Sequence, residues 1–471
     1  MPESWCDLQI LKMISRKPFA ITSILLLVLA GCSHPKPQPA PHPAATTTAP
    51  RPIARKQSPL SGSLLAGAHR VVFLGDSITY SGQYVDDISL MVRHLAGDNA
   101  IEFLNLGLPS ETLSGLSEPG HAHDSFPRPY LHDRLERLMT EMRPDLVIAC
   151  YGMNDGIYYP FDPKKFERYR RGIQLLRERV LGSKARLILI TPPTFDPVPI
   201  QNRTLPAGLP EYREPYVGYN DVLDRYSEWL LDQRTNGWTV IDVHFPMNQY
   251  LNQQRARDPG FVLASDGVHL GDTGHWLMAQ LILYGLKVPT LTSSATIDFV
   301  TARSAGIGNT RDFRKQNGEL DFVWTTHPPV PMPGFRLEST FRRTTTTYPP
   351  HGQMDSLIVR RAEAGIYRLF VEDQLLSTAS REELAAGIDM RQFPSVITTD
   401  RGRHILQLLH SRNRIMSDAW LTWVGHKRPG MPKGLGIKEA EAEAASLDRQ
   451  IQVLSRPVDL HIRLLPLPAS R

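Results

Sequence analysis

Between residues 70 and 286 the chain alternates apolar runs, Val71–Leu74, Ile101–Leu106, Leu146–Cys150, Leu187–Ile190 and Trp238–Val243, with stretches of helical spacing. Leu131, Leu135, Leu138 and Met142 form one apolar face, and Phe166, Ile173, Leu176 and Val180 most of another. Val217–Leu231 reads the same way, and Gly271–Leu286 closes the series. Strands that are apolar throughout and separated by helices imply a parallel sheet covered on both faces, hence an α/β domain. Ligands of such sheets bind beyond the carboxyl ends of the strands, so chemistry is to be sought there.

Short polar sequences sit at those ends. Gly75-Asp76-Ser77 follows the first run, Gly107 the second (Asn-Leu-Gly-Leu), and Gly152-Met153-Asn154-Asp155 the third. Asp266-Gly267-Val268-His269 comes after the last run, just before the last helix. Singly each is a turn or a cap. In this order they supply a hydroxyl, a base, an acid to orient it, and donors for an oxyanion. A serine hydroxyl needs an adjacent base to become a nucleophile. His269 is the best-placed histidine for Ser77, and Asp266 can accept from one ring nitrogen while the other faces the serine. Charge developing on a carbonyl oxygen can be met by the N–H groups of Ser77 and Gly107 and by the amide of Asn154. Asp272 is a weaker candidate for orienting the base, and Asp76 has no assigned role beyond holding its turn.

The four blocks GDSIT, LNLGL, GMND and DGVHL resemble those of the SGNH (GDSL-like) hydrolase superfamily, which contribute Ser77, Gly107, Asn154 and the Asp266/His269 pair. The resemblance spans roughly residues 68–290. It implies a flavodoxin-like three-layer α/β/α fold with a parallel five-stranded sheet, and serine-dependent ester hydrolysis with no metal and no cofactor. An O-acetylated carbohydrate is the favoured substrate class. The rivals are a lipase, lysophospholipase or thioesterase on longer acyl chains, a polysaccharide O-acetyltransferase, and a non-catalytic glycan-binding envelope protein.

Other residues are read as structural. His121, His123 and Asp124 have metal-like spacing in a Gly/Pro-flanked loop without further ligands, and His275 falls inside the last helix. Cys150 reads as a buried small hydrophobe, and Tyr151, Tyr158 and Tyr159 either line the pocket or pack in the core. A net charge of +5 with no basic run among aromatics excludes nucleic acid as an expected partner.

The flanks differ in texture. Arg16 and Lys17, an apolar run from Phe19 to Ala30 and then Leu-Ala-Gly-Cys32 read as a signal peptide over 1–32. The last four residues resemble a bacterial lipobox, which implies lipidation of Cys32, a membrane-anchored lipoprotein of the cell envelope, and a start at either Met1 or Met13. Residues 33–62, rich in Pro, Ala and Thr, are a linker. Residues 63–290 are then the hydrolase domain, 291–380 a small β-rich accessory region and 381–471 a helical region. Asp355–Arg361 and Ile366–Leu376 read as a β-hairpin, and Ser380 to Glu383 as a capping box. His404–Trp423 and Ile437–Leu454 read as a helical hairpin. Cys32→Ala should move the protein from the membrane fraction to the soluble one; a protein that stays with membranes rules out the lipobox.

Overall fold

In a computed structural model the described residues are 58–97, 101–204, 214–289, 294–305, 309–331, 356–363, 365–393 and 395–467. The leader, Cys6, Cys32 and nearly all of the linker lie outside them. Strands β1 (Arg70–Gly75), β2 (Glu102–Asn105), β3 (Leu146–Cys150), β4 (Arg186–Ile190) and β5 (Val240–Ile241) form a sheet in the order β2-β1-β3-β4-β5. Every pairing in it is parallel. β1 and β3 align Gly75 with Cys150, so the loops leaving both strands start side by side. Val71, Val72, Phe73 and Leu74 are all buried, as unbroken apolar composition requires of a strand covered on both faces.

The covering helices are α1 (Ser77–Tyr80), α2 (Gln83–Ala96), α3 (His132–Met142), α4 (Pro163–Gly182), α5 (Tyr219–Asp232), α6 (His244–Arg255) and α7 (Asp272–Gly285). Local chemistry sets their starts. Asp162 caps α4 by accepting from Lys164 N at 2.7 Å, with Pro163 in the first helical position, where its missing N–H costs nothing. Leu135, Leu138 and Met142 of α3 are buried, as their spacing predicts. The three-layer α/β/α architecture is thus that of the sequence reading.

Beyond residue 290 come β6 (Ser294–Asp298), β7 (Arg303–Ser304), β8 (Asn309–Gln316), β9 (Glu319–Thr326), β10 (Ser356–Arg360), β11 (Ile366–Val371) and β12 (Gln374–Ser380). They are followed by α8 (Arg381–Ala386), β13 (Ile388–Asp389), α9 (Ile397–Val424), α10 (Ile437–Leu454) and β14 (Val458–Pro466). Two sheets, β13-β10-β6-β7 and β12-β11-β14-β9-β8, share one core. Ile297, Leu357 and Val359 from the first meet Phe322, Trp324, Leu369 and Ile462 from the second, which makes a β-sandwich.

Two features differ from the sequence reading. β10 and β11 are not a hairpin: β10 pairs with β6 and β13, whereas β11 pairs with β12 and β14. β11, and β10 from Leu357 on, alternate buried and less buried residues, and alternation says which face is inside but not which neighbour pairs. The region taken as helical, 381–471, also holds β14, which lies between β11 and β9 in the sandwich. The capping box at Ser380 and Glu383 is present and starts α8.

The helical hairpin belongs to the other core. Ile405, Leu409, Met416, Ala419, Trp420 and Leu421 of α9, and Ala440, Ala444 and Ile451 of α10, are buried with the side chains of the α/β sheet and its helices. α9 packs on α2, β2 and α3, and so covers the β2 end of the sheet. Leu409→Ala removes a side chain with 0% exposure and should cost about 2–5 kcal/mol, read as a lower urea midpoint of the full chain. An unchanged midpoint would mean that α9 does not share the core of the α/β domain.

Candidate active site

Ser77 is the first residue of α1, one residue beyond Asp76, whose side chain accepts from Ile78 N at 3.0 Å as the helix cap. The turn is tight. A Cβ on Gly75 would lie 2.0 Å from Thr79 Oγ1 and 2.8 Å from Cys150 O, so only glycine allows the chain to leave β1 here. As the first helical residue, Ser77 presents an N–H with no intrahelical acceptor.

His269 is brought to it by the loop before α7. Ser77 Oγ and His269 Nε2 are 2.8 Å apart, and His269 Nδ1 and Asp266 Oδ2 are 2.7 Å apart. An ionised carboxylate only accepts, so Nδ1 carries the ring proton and Nε2 is left to accept from the serine hydroxyl. Asp266 Oδ1 also accepts from Val268 N at 3.0 Å and His269 N at 2.7 Å, which fixes the carboxylate before the imidazole reaches it. Gly267, at φ +82°, passes within 2.6 Å (from a would-be Cβ) of Asp196 O, and Asp196 N donates to Gly267 O at 2.9 Å. Ser77, His269 and Asp266 therefore come together from two distant segments.

Burial acts to lower His269, but the Asp266 hydrogen bond and charge, with Asp76, outweigh it and raise its pKa above the ordinary 6.5. Asp266 feels the same pair from the other side: burial would raise it, and its bonds to His269 hold it well below the usual carboxylate range. Burial pushes Asp76 up to about 7, against the bond from Ile78 and the charge of His269.

Asn154 lies after β3. Its Nδ2 donates to Glu111 O at 3.2 Å and its Oδ1 accepts from Tyr158 OH at 3.0 Å, which leaves one amide proton. Gly107 differs from expectation. Its N–H donates to Asn105 Oδ1 at 2.9 Å and is not open to a substrate oxygen. Its glycine character serves close approach instead, because a Cβ there would fall 2.4 Å from Tyr80 N. Asn105 Nδ2 in turn donates to Thr79 O at 2.6 Å, tying the end of β2 to α1. The next turn, Leu108 to Glu111, is closed by Glu111 N on Leu108 O at 3.1 Å and holds Ser110 at φ +67°. Leu108 N donates to Gly75 O at 2.9 Å, so this turn runs from the Ser77 side to Asn154.

Buried ion pairs hold these loops. Glu111, 0% exposed, takes both Nε and Nη2 of Arg134 at 2.7 Å and the Tyr151 hydroxyl at 2.6 Å. Glu118 takes Nε and Nη2 of Arg128 at 2.6 Å, and its pKa is held down at about 2 as the bonds from His121 and Arg128 overcome burial. Arg128 lies over the Tyr158 ring at 5.6 Å. Asp155 Oδ1 accepts from Leu113 N at 2.8 Å and Ser114 N at 2.7 Å, and burial lifts its pKa to about 6.

The residues read as structural fall as follows. His121 bonds Glu118 at 3.2 Å, His123 and Asp124 are exposed, and His275 is buried on Ser81 Oγ at 3.0 Å. Asp272 accepts from Gln83 at 3.3 Å, and Cys150 is buried with Sγ 3.7 Å from Thr191 O. Of the tyrosines, Tyr151 and Tyr158 are buried on Glu111 and Asn154, and Tyr159 lies under Lys165. Asn105, Glu111, Glu118 and Arg128 were missed, since a lone polar residue in a loop gives no periodic signal.

Residues 73–277 match the model of the GDSL-like Lipase/Acylhydrolase family. No curated protein matches the chain in sequence. In fold it is similar to a gut microbial diltiazem-metabolizing enzyme, at 19% identity and TM-score 0.63 over 85% of this chain and 98% of that one. The 85% reaches beyond the α/β domain, so the shared fold includes part of the C-terminal region. The chain is also similar to a catalytic mutant of an acetylxylan esterase from Geobacillus stearothermophilus, at 19% identity and TM-score 0.35 over 47% of this chain and 95% of that one. A further acetyl xylan esterase matches at 18% identity and TM-score 0.33 over 46% and 99%.

Proposed function

We propose that this chain, a carboxylic ester hydrolase whose residues 73–277 belong to the GDSL-like lipase/acylhydrolase family, works through an acyl-enzyme on Ser77 and removes small acyl groups, acetyl foremost, from carbohydrate. The observation that carries the mechanism is the unbroken hydrogen-bonded line from Ser77 Oγ through His269 to Asp266, at 2.8 and 2.7 Å. As Ser77 Oγ bonds to the ester carbon, its proton passes to His269 Nε2 and the imidazolium is held against Asp266. The carbonyl oxygen becomes an oxyanion facing the Ser77 N–H and the remaining Asn154 amide proton. Gly107 N–H is engaged by Asn105, so these two donors meet the oxyanion. Collapse breaks the ester C–O bond, and the alcohol leaves with the proton from Nε2. Water then repeats the sequence: His269 takes its proton, hydroxide bonds to the acyl carbon, and Ser77 departs with that proton.

Polar groups support a carbohydrate alcohol over a long acyl chain. The loops beside Ser77 and Asn154 carry Tyr80 and His121 partly exposed, with Tyr158, Arg128 and Glu118 buried among them, and a long acyl chain needs an apolar channel instead. With Cys32 lipidated, the enzyme acts at an envelope surface on extracellular or periplasmic glycan.

The full-length chain should hydrolyse p-nitrophenyl acetate faster than the octanoate, and Ser77→Ala should lower kcat/KM by at least about a thousandfold. Full activity in Ser77→Ala sinks the mechanism, and octanoate turnover equal to acetate sinks the small-acyl reading. The pH profile tests the base. His269 acts only when neutral, so kcat/KM falls as pH drops through its pKa, which lies above 6.5. Asp266→Asn removes the bond and charge that raise that pKa, so the acid limb should move to lower pH while kcat drops by about 10⁴. A limb that stays put means that another group is titrating.

A further inference from the structure

Arg428 lies between α9 and α10, half-buried. Its Nη1 donates to Pro429 O at 3.3 Å and touches Met431 Sδ at 3.6 Å. Its guanidinium carbon stands 5.5 Å from the centre of the Phe126 ring. The other edge is different: Nε is buried with no hydrogen-bond partner, and no carboxylate among the described residues pairs with Arg428. Burial draws its pKa down, opposed only by Tyr80.

An Arg Nε/Nη2 edge is a fork matched to a carboxylate. Arg128 uses it on Glu118, Arg134 on Glu111 and Arg391 on Asp389. Arg428 has the Nε of that edge stripped of water and without an acid. A desolvated cation is costly unless something completes it.

Its position ties it to the candidate active site. Tyr80 ends the helix that Ser77 begins. Arg414 of α9 lies 4.0 Å over the Tyr80 ring, donates to Tyr80 O at 3.3 Å and to its hydroxyl, and is itself paired with Asp418 at 3.2 Å. Arg414, Asp418 and Arg428 all act electrostatically on Tyr80. On the other side Phe126 meets the His121 ring edge-on at 5.2 Å, and His121 leads through Glu118 and Arg128 to Tyr158, the partner of Asn154. Through Tyr80 and through Phe126, Arg428 thus connects the C-terminal segment with the segments that carry Ser77 and Asn154.

We infer that Arg428, with Phe126 and Tyr80 beside it, is a specificity-determining subsite for a carboxylate carried by the ester substrate. This rests on the ester-hydrolase reading of Ser77 and narrows its substrate to acidic esters. The carboxylate is either a uronate on the sugar bearing the acyl group or the free end of a dicarboxylic acyl group.

The test compares kcat/KM of the full-length chain within two pairs. One pair is an acetylated xylo-oligosaccharide with and without a glucuronate branch, and the other a nitrophenyl hemisuccinate against the acetate. The wild type should prefer the acidic member of one pair at least about tenfold, and the pair that responds identifies the source. Arg428→Gln should abolish the preference chiefly through KM, and Arg428→Lys, charged but without the fork, should recover only part of it. No preference in either pair, or one that survives Arg428→Gln, overturns the inference. Calorimetric titration of Ser77→Ala with the deacetylated glucuronate-bearing oligosaccharide and with succinate gives a readout free of turnover. One of the two should bind, and adding Arg428→Gln should weaken it at least about tenfold. Binding of neither probe, or binding indifferent to Arg428, overturns the subsite, whereas absence of nitrophenyl acetate turnover overturns the hydrolase reading alone.

Discussion

The contact on which the molecule depends is the one between the long C-terminal helix α9 and the β2 end of the parallel sheet. A parallel sheet must be covered on both faces, and β2 is an edge strand. α9 closes this side from more than 250 positions further along the chain, as the |i−j| of 327 between Asp86 and Asn413 illustrates. The seam is not only apolar. Asp86, 3% exposed, accepts from Asn413 Nδ2 at 2.6 Å and His410 Nδ1 at 2.7 Å. Arg93 of α2 pairs with Asp448 of α10, which also receives Arg412 at 3.4 Å. Buried polar partners of this kind fix one docking geometry, because a displaced arrangement would leave a carboxylate desolvated and unpaired. The same helix then places Arg414 on Tyr80, one turn from Ser77, so the stability of the α/β domain and the shape of its candidate site share one cause.

Charge around the site follows a division of labour. Glu111 and Glu118 are each matched by an arginine through a two-toothed contact, and they brace the loops that carry Asn154 and Tyr158. Asp76 and Asp155 have no such partner and rely on backbone N–H groups, so burial leaves their pKa values raised, to about 7 and about 6. Asp266 is the one whose charge is secured by the imidazole it orients. Full negative charge is thereby concentrated behind His269, where a base benefits from it, and reduced beneath the turn of Ser77, where an oxyanion would be repelled.

Much of this could be read in advance. The five apolar runs became the five strands, and the four polar blocks lie at or after strand ends, because a buried parallel strand leaves so few places for chemistry. What escaped reading had weaker local signals. α2 begins at Gln83 behind a glycine with no side-chain cap, and α6 has only a narrow apolar stripe, Met247, Tyr250 and Leu251. The Asn317-Gly318 turn between β8 and β9 was a missed hairpin signal, with both residues at positive φ. The pairing of β10 with β6, and of β14 with β9 and β11, was beyond reach for another reason. A strand carries its inward face in its own sequence, but its partner is chosen by the rest of the sandwich. Gly107 makes the close approach read for it, and the residue that takes its N–H, Asn105, looks in sequence like any strand end.

Asp76 can now be placed between its two neighbours. Its Oδ1 accepts from Ile78 N at 3.0 Å, and this cap turns the chain from β1 into α1, where Ser77 is the first helical residue and its N–H has no intrahelical acceptor. A cap acceptor works in either protonation state, since a carboxylic acid keeps an accepting oxygen. An ionised Asp76 helps His269 hold its proton, as the charge contribution to the raised histidine shows, and that favours the step in which the imidazolium forms. The same charge would oppose an oxyanion on the far side of Ser77. A buried acid poised near 7 lies between these demands, close to the pH at which both forms exist. The turn therefore needs an aspartate for its shape, and burial tempers the charge that comes with it.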